Sequence, residues 1–175
     1  MAALPHEMTH VVLADLLGGT QPPRWADEGM AILADSASKQ SLHERDLRDG
    51  LGRGLAFSAA ELLTSDNYPH SSRVPAFYGQ SASLTSFLVT RDRPPRFIEF
   101  LRASQERGYD RALQDTYGIS NLRELERLWQ AHRQQLQTNP RELLLALDKS
   151  RPTTGRTPPN ELSSDTQPSD GGGGE

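Results

Sequence analysis

"LPHEMTHVVLADLLGG" (residues 4–19) and "TQPPRWADEGMAILAD" (residues 20–35) stand end to end near the amino terminus, and together they decide how the chain is read. In the first stretch the spacing predicts a helix over 4–17. It ends at Gly18-Gly19, because glycine takes the left-handed C-cap conformation without a Cβ clash. In the second, Gln21-Pro22-Pro23 turns the chain, and proline is well placed in a first helical turn. A second helix is expected from about Arg24 to Asp35. His6 and His10 are four apart, one turn along a single helix face, so both imidazoles can aim at one ion. Glu7 is rotated about 100° from His6. It is badly placed as a ligand in the same plane but within reach of a water bound to the metal, where a general base is wanted. Glu28 follows His10 by eighteen positions. The connection is short enough to pack the two helices side by side and long enough to reverse direction, so Glu28 is the candidate third ligand.

Most of the remaining chain also carries a helical pattern. Residues 36–54 are polar and hold Gly50, Gly52 and Gly54, which predicts a loop with at most a short helix; the charge-rich run 44–50 within it reads as solvated. Residues 55–65 suit one short helix, and 67–75 a loop broken by Pro69 and Pro75. From Ala76 to Thr90 the stripe Phe77, Leu84, Phe87 and Leu88 marks a stronger helix. Pro94-Pro95 opens another, with Phe97, Ile98, Phe100 and Leu101 inside. Tyr109 to Tyr117 is short and stops at Gly118. Asn121 with Glu124 three residues on looks like a capping box, starting a helix through Leu136 faced by Leu122, Leu125, Leu128 and Trp129. "RELLLALDKS" (141–150) is a last, marginal helix. No alternating strand pattern is present. The fold class expected is mainly α, with Trp25 and Trp129 in the core and His43, His70 and His132 on the surface.

Composition bounds what such a fold does. The chain has 175 residues and a net charge of −4, with no basic stripe to neutralise phosphates, which argues against nucleic acid as a partner. It contains no cysteine, so disulfides and thiolate metal sites are excluded. No run of about eighteen apolar residues exists to span a membrane. No signal peptide precedes the first motif, and the compartment is left open. Residues 150–175 are rich in Pro, Gly, Ser and Thr and are expected to be a disordered tail, leaving 1–149 as one helical domain.

H-E-x-x-H followed after a short connection by W-x-x-E-G-x-A resembles the gluzincin metallopeptidases, the group of thermolysin, aminopeptidase N and the peptidase MA-like proteins. The likeness extends through "FYGQSASLTSFL" (77–88) and more weakly through "RALQDTYGISNLRELERLWQAHR" (111–133), so that it spans roughly residues 3–136. The resemblance implies a zinc peptidase. His6, His10 and Glu28 would hold Zn2+, and Glu7 would take a proton from the metal-bound water and pass it to the leaving amine. Tyr78 would support the oxyanion, and Asp35 would accept a hydrogen bond from a ligand histidine. It implies a peptide or protein substrate, and relatives that are often exported. It also implies a β-sheet upstream of the zinc motif, whose edge strand holds the substrate. No such segment precedes Met1 here, so the chain reads as the helical lobe of a zincin-type metallopeptidase lacking its amino-terminal sheet, a fragment or truncated relative. In that reading Met8, Val11 and Val12 lie on uncovered flanks of the first helix, and self-association through them is expected. The alternative reading is a catalytically inactive helical zinc-binding interaction module.

Overall fold

The computed structural model describes residues 4–65 and 67–138. The expected tail at 150–175 and the marginal helix at 141–150 lie outside the described residues. Within them the chain is mainly helical, and no strand is present. The helices are α1 (Leu4–Leu16), α2 (Arg24–Leu33), α3 (Ala37–Gly52), α4 (Ala59–Leu63), α5 (Val74–Arg91), α6 (Pro94–Arg107), α7 (Tyr109–Tyr117) and α8 (Leu122–Thr138), with a short 3-10 turn at Ser71–Arg73. None is long and apolar enough to cross a membrane.

α5 is the axis of the fold. It buries Phe77, Leu84, Phe87 and Leu88, the stripe expected from sequence, and packs against α2 on one side and α3 on another. α1 leans on α2, α6 pairs with α7, and α8 closes the far side over α4 and α5. Trp25 and Trp129 are almost completely buried. Each finds a partner for its indole N–H, donating to the Tyr109 hydroxyl at 3.1 Å and to Ser83 Oγ at 3.1 Å respectively. Losing a buried aromatic of this size costs about 3–5 kcal/mol. Gln80, fully buried on α5, accepts from Phe57 N at 2.6 Å and donates to Phe57 O at 2.7 Å. Arg73 donates to the carbonyls of Leu55 and Ala56. The extended segment before α4 is therefore held by side chains in place of a ladder, as buried main-chain groups require.

Residues 36–54 are not a loop. All but the ends form α3, sixteen residues long, and the charged run 44–50 is helical. Of the three glycines that suggested a loop, Gly50 is the one that lets this helix dock, and Gly79 on α5 answers it from the other side; a Cβ at Gly52 or Gly54 would meet nothing within 4 Å. A Cβ at Gly50 would stand 2.7 Å from Ala76 Cβ, and one at Gly79 would stand 2.6 Å from His43 O and 2.8 Å from Leu47 N. Two glycines thus bring the backbones of α3 and α5 together, and that tertiary contact overrides weak local propensity. Gln40 adds to it by donating to the carbonyls of Leu33 and Asp35 at the end of α2. Docking also half-buries His43, which was expected on the surface; His132 on α8 is likewise half-buried, whereas His70 is exposed.

Smaller corrections follow the same logic. Residues 55–65 yield a helix only at Ala59–Leu63, opened by a reciprocal capping box between Ser58 and Glu61. Pro75 does not break the loop before it. It sits in the first turn of α5, where its missing N–H has no partner to lose. α8 is capped by Asn121, whose side chain accepts from Glu124 N at 3.0 Å. The Glu124 carboxylate reaches Ser120 N at 2.8 Å, one residue earlier than the capping-box pattern expects.

Candidate metal centre

α1 is anchored at its carboxy-terminal end. Leu13 and Leu17 are buried, and Gly18 and Gly19 take φ of 69° and 79°, which lets Gly19 N bond back to Ala14 O at 2.9 Å. Arg102 on α6 donates to Leu16 O. The chain then passes Pro22-Pro23 and returns as α2 with Trp25 as its anchor. This brings His6 and His10 on α1 against Glu28 on α2, with one potential ligand atom from each residue lying within 4.8 Å of the others. Tetrahedral zinc with bonds of 2.0–2.2 Å wants its ligands about 3.3 Å apart, a closure that small side-chain rotations supply. The two imidazoles stand edge to face, with centroids 5.0 Å apart at 76°.

Both histidines have a carboxylate behind them. Asp35 Oδ2 lies 2.9 Å from His6 Nδ1, and Asp27 Oδ1 lies 2.8 Å from His10 Nδ1, a short but poorly aligned contact. His6 Nδ1 is hydrogen-bonded to Asp35 and His10 Nδ1 faces Asp27 as an ion-pair contact, which leaves Nε2 of each ring as the natural ligand atom when a carboxylate orients the histidine. Two nitrogens and one carboxylate oxygen are a donor set suited to zinc with a further position open. Asp35 sits just past the end of α2, nearly buried, and is also paired with Lys39 at 3.0 Å. Burial alone would lower the pKa of His10, but the Asp27 contact and the charges of Asp27, Glu28 and Glu7 outweigh it and raise it. Glu7 is exposed on α1 and close enough for its charge to act on His10.

Tyr78 is half-buried on α5 at the edge of this group. Burial, a hydrogen bond with Tyr68 and the nearby Glu28 carboxylate push its hydroxyl up to about 12, so it stays protonated and able to donate. Tyr68, in the loop before α5, donates to Glu28 Oε1 at 3.4 Å. Asp27 and Tyr68 were not singled out from the sequence. Asp27 carried one signal, its place beside Glu28 on the helix that faces His10. Tyr68 carried none, since only the packing of its loop brings it to the site.

Comparisons with protein-family models, with curated proteins and with solved structures returned no match. What the site can do therefore rests on its residues.

Proposed function

We propose that this chain carries a zinc-dependent peptide hydrolysis site of the gluzincin type, and that its helices correspond to the helical lobe of such a peptidase. One observation carries the reading. Three residues of the H-E-x-x-H…E pattern converge, and each histidine has an aspartate oxygen beside its Nδ1, at 2.9 Å for His6 and 2.8 Å for His10. A surface helix with two incidental histidines has no reason to place an aspartate behind each of them.

His6, His10 and Glu28 would hold the ion. Zinc bound there supplies a Lewis acid that lowers the pKa of water and polarises a carbonyl. Glu7, exposed beside His10, takes a proton from the attacking water and returns it to the leaving amine. Tyr78 keeps its proton and donates toward the developing oxyanion, with Tyr68 bridging it to Glu28. Asp27 and Asp35 fix the tautomers and orientations of the two histidines.

The bare outer side of α1 favours a second reading, a non-catalytic zinc-binding helical module. Glu7→Gln separates the two. The amide keeps the shape and cannot take a proton, so it should retain stoichiometric zinc and lose hydrolysis of an unstructured protein substrate. Unchanged turnover in Glu7→Gln would remove the mechanism. Zinc binding with no hydrolysis in wild type would favour the module. A His10→Ala variant that keeps the wild-type zinc content after dialysis would remove the site itself.

A further inference from the structure

Beside Glu28 the fold opens a polar cleft of about 760 Å³, lined among others by Arg24, Glu28, Thr64, Tyr68, Gln105 and Tyr109. That volume suits a few residues of an extended peptide. Among the described lining residues Arg24 brings the positive charge, and Asp27 and Glu28 bring the negative. Both carboxylates have other work, Asp27 against His10 and Glu28 in the metal ligand set. Arg24 makes no ion pair or hydrogen bond with any described residue, and its Nε is buried without an acceptor. Its guanidinium carbon lies 3.9 Å above the centre of the Tyr68 ring. Stacking of this kind fixes the plane of the guanidinium while leaving its N–H groups free to bond in that plane.

A buried guanidinium donor without an acceptor is costly to keep. Arg96 and Arg107 are spent on the carboxylates of Glu99 and Asp115, each at 2.8 Å, and Arg73 and Arg102 on main-chain carbonyls; Arg133, stacked on Trp129 away from this cleft, also keeps a buried nitrogen without an acceptor. Arg24 stands four residues before the candidate ligand Glu28, one helical turn away on the same face of α2, so a group held by it lies next to the metal. The arginine fork matches a carboxylate in shape and charge.

We propose that Arg24 is the carboxylate-recognition residue of this cleft, and that the chain takes peptides presenting a carboxylate close to the bond at the metal. The carboxylate belongs to an acidic side chain or to a free carboxy terminus. The reaction at that bond rests on the metal reading above; capture of the carboxylate by Arg24 does not.

Isothermal titration calorimetry on the full chain tests this. It is run zinc-loaded in the Glu7→Gln background, to prevent turnover, and again in wild type treated with chelator. Three acetylated tripeptides serve as probes: Ala-Phe-Ala amide with no carboxylate, Ala-Phe-Ala with its terminal carboxylate free, and Ala-Phe-Glu amide. At least one carboxylate peptide should bind about tenfold or more tighter than the neutral one, and which one does so identifies the source. The preference should survive chelation and collapse in Arg24→Gln, while the affinity of the neutral peptide changes little. If Arg24→Gln does not fold, Arg24→Lys decides. Its ammonium keeps the charge but lacks the fork, so the preference should fall severalfold, and an unchanged preference overturns the proposal. Equal binding of all three peptides overturns it, as does a preference that needs zinc and survives Arg24→Gln. A preference through Arg24 in a chain that binds no zinc would uphold this proposal and remove the metal reading; zinc binding without a carboxylate preference would do the reverse.

Discussion

Replacing Gly29 by alanine should damage the metal centre through packing alone. Gly29 follows the candidate ligand Glu28 on α2, where that helix presses on α5. A Cβ added there would lie 2.2 Å from Thr85 Oγ1, 2.6 Å from Ser81 O and 2.9 Å from Thr85 Cβ. Ordinary contacts between such atoms are about 3.5 Å. Rotation of the Thr85 side chain can move Oγ1 away, but Thr85 Cβ and Ser81 O are fixed to the backbone of α5 and cannot follow, so the helices must part by about 1 Å. Overpacking of this kind costs about 3 kcal/mol, and the better helix propensity of alanine returns about 1 kcal/mol. The net loss is about 2 kcal/mol, which for a domain of this size lowers Tm by about 8 °C. The same displacement carries Glu28 away from His6 and His10. The three ligand atoms already have to close from as much as 4.8 Å to bind an ion, and a further shift of about 1 Å in α2 adds to the side-chain strain of that closure, so zinc affinity should fall about tenfold. Urea denaturation of metal-free protein measures the first effect, and competition with a chromogenic chelator measures the second. Gly52→Ala is the control, since nothing lies within 4 Å of its added Cβ, and it should be neutral or slightly stabilising. Adding Thr85→Ala to Gly29→Ala should recover part of the loss by removing the Oγ1 contact, and leave the clashes with Ser81 O and with the Cβ of residue 85. Wild-type stability and zinc affinity in Gly29→Ala would refute the view that this close approach sets the site.

Asp27→Asn should keep the fold and weaken zinc about 10–100-fold, because the imidazole of His10 loses the charge that orients it; a chelator competition giving the wild-type constant would exclude that role. Leu4, Met8, Val11, Val12 and Leu16 form an exposed stripe along α1, with Leu4 and Val11 about 70% accessible, so the chain should associate with rising concentration. Sedimentation of wild type against Met8→Glu/Val11→Glu tests this, and a wild type that stays monomeric at high concentration rejects it. His43 is held below its ordinary pKa, chiefly by burial. The folded state then binds fewer protons than the unfolded state below about pH 6.5, so this contribution is complete above that value and is lost as pH falls. In metal-free protein, His43→Gln should flatten the decline in stability between about pH 7 and 5; a decline as steep as that of wild type would show that His43 does not contribute to it.

Local rules made much of the fold legible before the structure. Gly18-Gly19, Pro22-Pro23, Pro94-Pro95 and Gly118 act on the backbone within a turn or two, so the helix boundaries they imply appear close to where they were expected. The spacing of His6 and His10 fixes a shared helix face wherever that helix goes, and the short turn to the next helix, with the W-x-x-E-G resemblance, nominates Glu28 as a third ligand. Legibility failed where a residue's meaning depends on what packs against it. Gly50 reads as a loop signal in isolation and proves to be the surface on which α3 meets Ala76. Asp27 reads as one more helix acid until α1 sets His10 beside it, and Tyr68 and Arg24 become a stacked pair only when the loop before α5 folds over α2. Sequence by itself determined most of the helical segments, α3 excepted, and which side chains a metal could use, because caps, turns and helical spacing are short-range. Only the tertiary structure decided which carboxylate stands behind which histidine and which guanidinium stacks on Tyr68, because those depend on contacts between residues far apart in the chain.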